Sequence, residues 1–325
     1  MSGAAVLGTG FAVPEREITN DDLAMRLDTS DAWIVSRTGI HARRVVGDAG
    51  IATSHLATAA ARAALAHAGL EPDAIDLLIV ATTSPDYPIP STACLVQAEL
   101  GARPVPAFDL NAACSGFIYG LALADQALAT GAAEHVLLVG ADTLTRHVDW
   151  DDRATAVLFG DGAGALVLGR GAGLLGVHLG SDGRRAGDLL IAAGGSRHPM
   201  DGAALATKAH KIAMNGPEVF RAAVDAMTHA LETAARHAGV RPDRLRWVFA
   251  HQANARIIRG VAERLGITLA AFWMNIERYG NTGAASIPIA LAEAAQAGHL
   301  EAGDVIGLTA AGAGLTWGAA ILRWS

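Results

Sequence analysis

The chain has 325 residues, 51% of them hydrophobic and 18% charged, with a formal net charge of −7. That length can bury a large core and suggests about two domains, while the acidic balance argues against a broad nucleic-acid-binding surface. Two cysteines, Cys94 and Cys114, build no disulfide framework, no apolar run reaches the ~18 residues of a membrane span, and no charged-then-apolar leader opens the chain, so a cytoplasmic protein is expected.

In the first half, short β-rich runs alternate with helical patterns. Residues 66–84, AHAGLEPDAIDLLIVATTS, combine a helix end at Gly69, a turn at Pro72 and Asp73, and a buried-strand run. Cys94, in STACLVQ, has no turn of small residues after it and is expected in the core. The stretch FDLNAACSGFIYG (108–120) differs, because a strand runs into small residues and then a helix. Phe117, Leu121, Ala124 and Leu128 recur at i, i+4, i+7 and i+11, giving that helix one buried face. Cys114 then falls at a helix N-terminus, where free backbone N–H groups and the dipole favour a thiolate, lower the thiol pKa and can hold an oxyanion. Ala112, Ala113, Ser115 and Gly116 leave room for a tight turn and an acyl group. A buried structural cysteine is the competing reading of this stretch taken alone.

After the strand-like VLLVGA (136–141), GAGLLG (171–176) satisfies GxGxxG, but the following VHLGSDG does not read as a helix and LGTGF lacks the third glycine, so no dinucleotide fold is expected. Residues 236–254, RHAGVRPDRLRWVFAHQAN, repeat 66–84: Gly239 pairs with Gly69 and Pro242 with Pro72, at an offset of 170. GNTGAASIPIALAEAAQAG (280–298), followed by VIGLTA, repeats the Cys114 helix and its strand at an offset of 167, setting Asn281 opposite Cys114 and Gly283 opposite Gly116. Pro288 counts against a regular helix there, since a proline past the first turn kinks it. The expectation is two similar α/β halves, 1–170 and 171–325, with central strands covered on both faces. Chance likeness between two alanine-rich helices is the alternative. His251 ends the run WVFA at a strand's C-terminal edge, where open α/β sheets bind ligands. Its counterpart is Ala81, so the histidine is particular to one half; HQAN has no second His at i+4, and no metal is expected. His251 and Asn281 are the candidate partners of Cys114, with a satisfied structural His still open.

NAACSGF, HQANARII, YGNTGAASIP and GAGLTWG, with the early WIVSRTGI, resemble the β-ketoacyl-acyl-carrier-protein synthase III family of the thiolase fold, almost end to end and in order. The resemblance implies a five-layered αβαβα architecture from two duplicated halves and a Cys114–His251–Asn281 triad. It implies that an acyl group from acyl-CoA is loaded on the cysteine and condensed, with loss of CO2, with malonyl-acyl carrier protein, initiating fatty acid biosynthesis. The backbone N–H groups of Cys114 and Ala313 would form the oxyanion hole, although the family tends to have Gly at the latter position. Trp33, Arg37, Arg153, Gly216 and Asn254 would hold coenzyme A. Ile89, often aromatic in the family and near the pocket across a homodimer interface, would join Phe159 and Phe220 around the acyl chain. Gln252, Arg256, Arg259 and Arg264, with Arg221 nearby, would dock the acidic carrier protein. No cofactor beyond the coenzyme A thioester substrate, no nucleic acid and no membrane is implied. Without the resemblance, Trp33 reads as a partly buried aromatic and the arginines as surface charges. A biosynthetic thiolase would need a second cysteine that GAGLTWG lacks. The remaining rival is a starter-unit ketosynthase or acyltransferase of specialised, polyketide-type metabolism with the same triad.

Overall fold

Charge-free runs such as LLIVA and VLLVG become central strands, because a strand covered on both faces keeps no solvent side for polar residues. The computed structural model describes residues 3–47 and 50–325. One sheet contains β1 (Gly3–Ala12), β2 (Leu77–Ala81), β3 (Ala107–Leu110), β4 (His135–Thr143) and β5 (Asp161–Gly171), in the order β1-β5-β4-β2-β3. The other contains β6 (Leu174–Ser181), β7 (Trp247–Ala250), β8 (Val305–Gly312) and β9 (Thr316–Arg323), in the order β6-β9-β8-β7. The second order matches the first four strands of the first sheet position for position. The directions match too: β2–β4 and β7–β8 are parallel, and the outer pairs are antiparallel. At the place of β3, the second sheet carries an isolated Val248–Phe272 bridge.

The helices α1 (Asp31–Thr38), α2 (Thr53–Ala68), α3 (Thr92–Leu100), α4 (Gly116–Thr130), α5 (Gly216–His237), α6 (Ala255–Leu265) and α7 (Ser286–Gln296) fill the remaining layers. Between the sheets, Phe117, Leu121 and Leu128 of α4 pack with Ile287 and Leu291 of α7, against Leu138 and Leu166 on one side and Phe249 and Leu308 on the other. Each such side chain, fully buried, contributes about 1.5–3 kcal/mol. Helices α2 and α3 cover the outer face of the first sheet, and α5 and α6 that of the second. The result is the five-layered αβαβα arrangement. The periodic face of α4 is fully buried as expected, and the glycine pattern at 171–176 leads into strand β6 rather than a helix.

Two expectations fail here. Pro288 does not kink α7: it is the third residue of the helix, in the first turn, where its missing N–H has no intrahelical acceptor to lose. Cys94 is exposed rather than core. It sits on α3 beside β3, the edge strand, with Sγ 3.8 Å from the Ala107 carbonyl, so it faces the open margin of the sheet. Among the described residues, no helix is long and apolar enough to cross a membrane.

Candidate active site

The C-terminal ends of the parallel strands in both sheets point to one region. β3 ends at Leu110, and the turn to α4 carries Cys114. Ala113 has φ +49, a left-handed conformation uncommon for a residue with a Cβ, and the turn is held from several sides. The Ala113 N–H donates to Asn111 Oδ1 at 3.2 Å. Ser115 Oγ and Thr316 Oγ1 lie 2.8 Å apart, both within hydrogen-bond distance of the Ala112 carbonyl, which ties the turn to the second half of the chain. Gly312, at the end of β8, is required by close approach: a Cβ there would stand 2.6 Å from the Cys114 nitrogen.

The electrostatics of the thiol reverse the expectation. Burial pushes Cys114 up to about 12, with the negative charge of Asp142 a lesser contribution in the same direction. A shift of that size is worth about 4 kcal/mol, whereas a helix end typically supplies about 0.3–1 kcal/mol and at most about 2. Desolvation therefore wins, and the resting group is a thiol. The cysteine is partly accessible because it opens onto a cavity, yet protein surrounds it on the remaining sides.

His251 follows β7 directly and is 2% exposed. Burial lowers it to about 4, so the imidazole is neutral at pH 7. Its Nδ1 lies 2.7 Å from Ser286 Oγ, at the start of α7, which leaves Nε2 for the cavity. Asn281 is 6% exposed. Its backbone bonds to Leu158 and Gly160, and its Oδ1 accepts from the Gly283 N–H at 3.0 Å. The carboxamide N–H2 is thus the end left to donate.

Cys114, His251 and Asn281 line one cavity of about 540 Å³. Ala313 lines it beside Gly312, and its φ is not positive, so an alanine keeps the backbone N–H there without left-handed strain. At the mouth stand Trp33, Arg37 and Arg153, with the two guanidinium carbons 4.5 and 4.8 Å from the Trp33 ring centroid. Gly216, Asn254, Phe159 and Phe220 also line this cavity. Asn254 caps α6 by accepting from the Arg256 N–H at 2.8 Å and donates to the Arg37 carbonyl at 3.1 Å. Another cavity, of about 590 Å³, is lined by Arg16, Arg146 and Lys211 among others and contains none of the candidate groups. Among the described residues, no cluster of three or more His, Cys, Asp or Glu is arranged to hold a metal ion.

Four expected residues lie elsewhere. Gln252 is a correction: at 1% exposed it cannot meet a partner protein, because its Nε2 donates to the Ala250 and Trp273 carbonyls and its Oε1 accepts from the Asn275 N–H. Arg264 is ion-paired with Asp225, and Arg221, at the cavity wall, with Glu218. Arg259 is exposed, as is Arg256, whose guanidinium lies over Phe220 at the mouth; among the described residues neither has an acidic partner. Ile89 is 87% exposed and outside this cavity. Sequence reasoning missed Ser286, Thr316 and Asp142. For Asp142 a signal existed, namely an acid ending the apolar run VLLVGA.

Residues 108–183 match the family described as 3-oxoacyl-[acyl-carrier-protein (ACP)] synthase III, and residues 235–324 match its C-terminal part. A beta-ketoacyl-[acyl-carrier-protein] synthase III from Caldanaerobacter subterraneus subsp. tengcongensis is 48% identical over 325 residues, 99% of this chain and 98% of the relative. The crystal structure of 3-oxoacyl-[acyl-carrier-protein] synthase III from Aquifex aeolicus VF5 superposes with a TM-score of 0.91 at 45% identity, covering 99% of this chain and 100% of that one. The priming beta-ketosynthase from the R1128 polyketide biosynthetic pathway superposes at 0.92 with 34% identity, covering 99% and 96%.

Proposed function

The chain belongs to the 3-oxoacyl-[acyl-carrier-protein] synthase III family, and from that premise we propose that Cys114 carries the acyl group of its condensing reaction. The protein is an acyltransferase that initiates fatty acid biosynthesis by condensing an acyl group with malonyl-acyl carrier protein. The higher identity to synthase III relatives, 45–48% against 34% for the polyketide priming enzyme, favours the fatty acid role over the starter-unit one.

One observation carries the residue assignment: a single cavity runs from an aromatic and two guanidinium groups at its mouth to a cysteine, a histidine and an asparagine at its base. Trp33, Arg37 and Arg153 offer a stacking face and bidentate phosphate contacts for the nucleotide end of acyl-CoA. Gly216 and Asn254 border the path of the pantetheine arm. Cys114 sulfur attacks the thioester carbonyl; the oxyanion lies between the backbone N–H groups of Cys114 and Ala313, and coenzyme A leaves as its thiol with the cysteine's proton. Malonyl-acyl carrier protein then enters. As the C–C bond to the carboxylate breaks, the electron pair moves onto the thioester oxygen, and neutral His251 Nε2–H and Asn281 Nδ2–H donate to it. The enolate carbon attacks the acyl-cysteine, and the sulfur is released to take up a proton.

Dimerisation is also part of the reading. The edge strand β3 offers unpaired backbone groups, and Tyr87, Ile89, Cys94 and Phe108 are exposed around it. A second copy covering this edge brings Ile89 to its partner's acyl pocket, and an aliphatic side chain there admits branched or longer primers. A strong preference for acetyl-CoA over isobutyryl- and octanoyl-CoA in kcat/KM overturns that last point. The matched strand orders support a division into halves 1–170 and 171–325. The exposed Arg256 and Arg259 form the carrier-protein docking face.

Radiolabelled acetyl-CoA tests the central claim. Wild type acquires label that Cys114→Ala does not, and with malonyl-acyl carrier protein it forms a 3-oxoacyl product. A labelled Cys114→Ala variant means the nucleophile is another residue.

A further inference from the structure

Asp142 is the penultimate residue of strand β4 and is 1% exposed, with no cation in contact among the described residues. Its donors are all accounted for. Oδ1 accepts from the Thr83 N–H at 2.8 Å and from the hydroxyls of Thr82, Thr83 and Ser84 at 2.9–3.2 Å. The Ser84 hydroxyl oxygen also accepts from the Thr143 N–H, and that of Thr82 from the Ser84 N–H, while each donates its hydrogen to the carboxylate, which can only accept. Oδ2 faces the other half of the chain and accepts from the Ala284 N–H at 2.8 Å. Gly283, at φ +60, completes the contact, because a Cβ on it would overlap this oxygen.

Ala284 belongs to the short turn between Asn281 and α7. Within six residues that turn presents Asn281, whose carboxamide is oriented by the Gly283 N–H, and Ser286, whose hydroxyl contacts His251 Nδ1. A single carboxylate from the first half therefore anchors the segment that sets both side chains aimed at the malonyl oxygen. We propose that Asp142 is a positioning residue for the decarboxylation step, holding the 281–286 turn so that Asn281 and His251 donate to one oxygen. The inference rests on the donor roles assigned above.

An aspartate is needed because both oxygens must accept. An asparagine of the same shape sets an N–H2 against the Ala284 N–H or against the Oδ1 donors, and a donor facing a donor costs the contact. The cysteine responds differently. Burial raises the Asp142 carboxyl while the hydrogen bonds from Thr83, Ala284 and Ser84 oppose that rise, and any charge it carries near Cys114 opposes thiolate formation, so removing it does not slow acylation.

The test separates the half-reactions in Asp142→Asn and, from the other side of the contact, Gly283→Ala. Release of labelled CO2 from malonyl-acyl carrier protein is expected to fall at least 100-fold. Transfer of labelled acetyl from acetyl-CoA to Cys114 stays within threefold of wild type, or rises in Asp142→Asn. A role confined to stability moves both half-reactions together, and that result overturns the inference. So does decarboxylation within threefold of wild type in either folded variant, or failure of both variants to fold. Asn281→Ala run in parallel separates the levels. If it decarboxylates normally, the donor assignment falls and this inference with it. If it does not while Asp142→Asn does, the inference alone falls.

Discussion

His251 Nδ1 and Ser286 Oγ lie 2.7 Å apart, joining the end of strand β7 to the start of helix α7, and this contact decides which imidazole nitrogen faces the cavity. A hydroxyl bonded to one imidazole nitrogen orients the ring without touching substrate. Ser286→Ala is expected to lower the decarboxylation rate about tenfold, the equivalent of one net hydrogen bond of about 1.4 kcal/mol, while Ser286→Thr restores most of it. Equal rates in the alanine variant and wild type would falsify the contact's role.

The histidine also predicts a pH effect on stability. Burial lowers folded His251 to about 4 from an ordinary 6.5, so between those values the unfolded chain binds more protons than the folded one. The contribution is fully present above pH 6.5 and is lost as pH falls towards 4, by roughly 3 kcal/mol in all. Urea unfolding at pH 7.5 and 4.5 should show a larger loss for wild type than for His251→Gln, because the glutamine does not titrate. Parallel losses in the two proteins count against the assignment.

Cys114, held up to about 12 by burial, should react with iodoacetamide at a rate that climbs with pH and shows no plateau between pH 6 and 9. Peptide mapping separates it from exposed Cys94. A plateau near neutrality means a resting thiolate–imidazolium pair instead.

Trp33 lies beneath two guanidinium groups at the cavity mouth, remote from the reacting carbon. Trp33→Ala should raise KM for acyl-CoA about tenfold and leave kcat nearly unchanged, since a cation–π or stacking contact is worth about 0.5–2 kcal/mol. A fall in kcat at constant KM contradicts nucleotide binding there.

Gln252 and Arg256 are close in sequence but opposite in exposure. Gln252→Ala should destabilise the fold by about 1–3 kcal/mol, seen as a lowered Tm, with KM for malonyl-acyl carrier protein unchanged. Arg256→Glu should do the reverse, raising that KM in a salt-dependent way at constant Tm. If the glutamine variant alters KM alone, the buried hydrogen bonds are not its role.

Much of this architecture was legible in the linear pattern. The 170-residue offset between Gly69 and Gly239 reappears as two glycines at φ +66 and +67, each following a helix and preceding a Pro-led turn and a buried strand, β2 in one sheet and β7 in the other. Cys114, His251 and Asn281 could be singled out because small residues, strand ends and glycines punctuate the chain beside them. Gln252 could not be judged the same way. Its neighbour His251 faces the cavity, and nothing local says that position 252 turns into a pocket of carbonyls from Ala250 and Trp273.

Local pattern alone determined the alternation of strands and helices, the internal repeat, the small-residue turn at the thiol and the family likeness, since each depends on neighbours a few residues away. Folding decided the charge states and the exposures. Cys114 is a thiol rather than a thiolate, His251 is neutral, Cys94 lies at an open edge, and Asp142 and Ser286 reach across from distant segments. The reason is desolvation: the cost of a charge depends on all the atoms that close around it, and here those atoms come from segments well separated in sequence, as Gly312 is from Cys114 and Ser286 from His251.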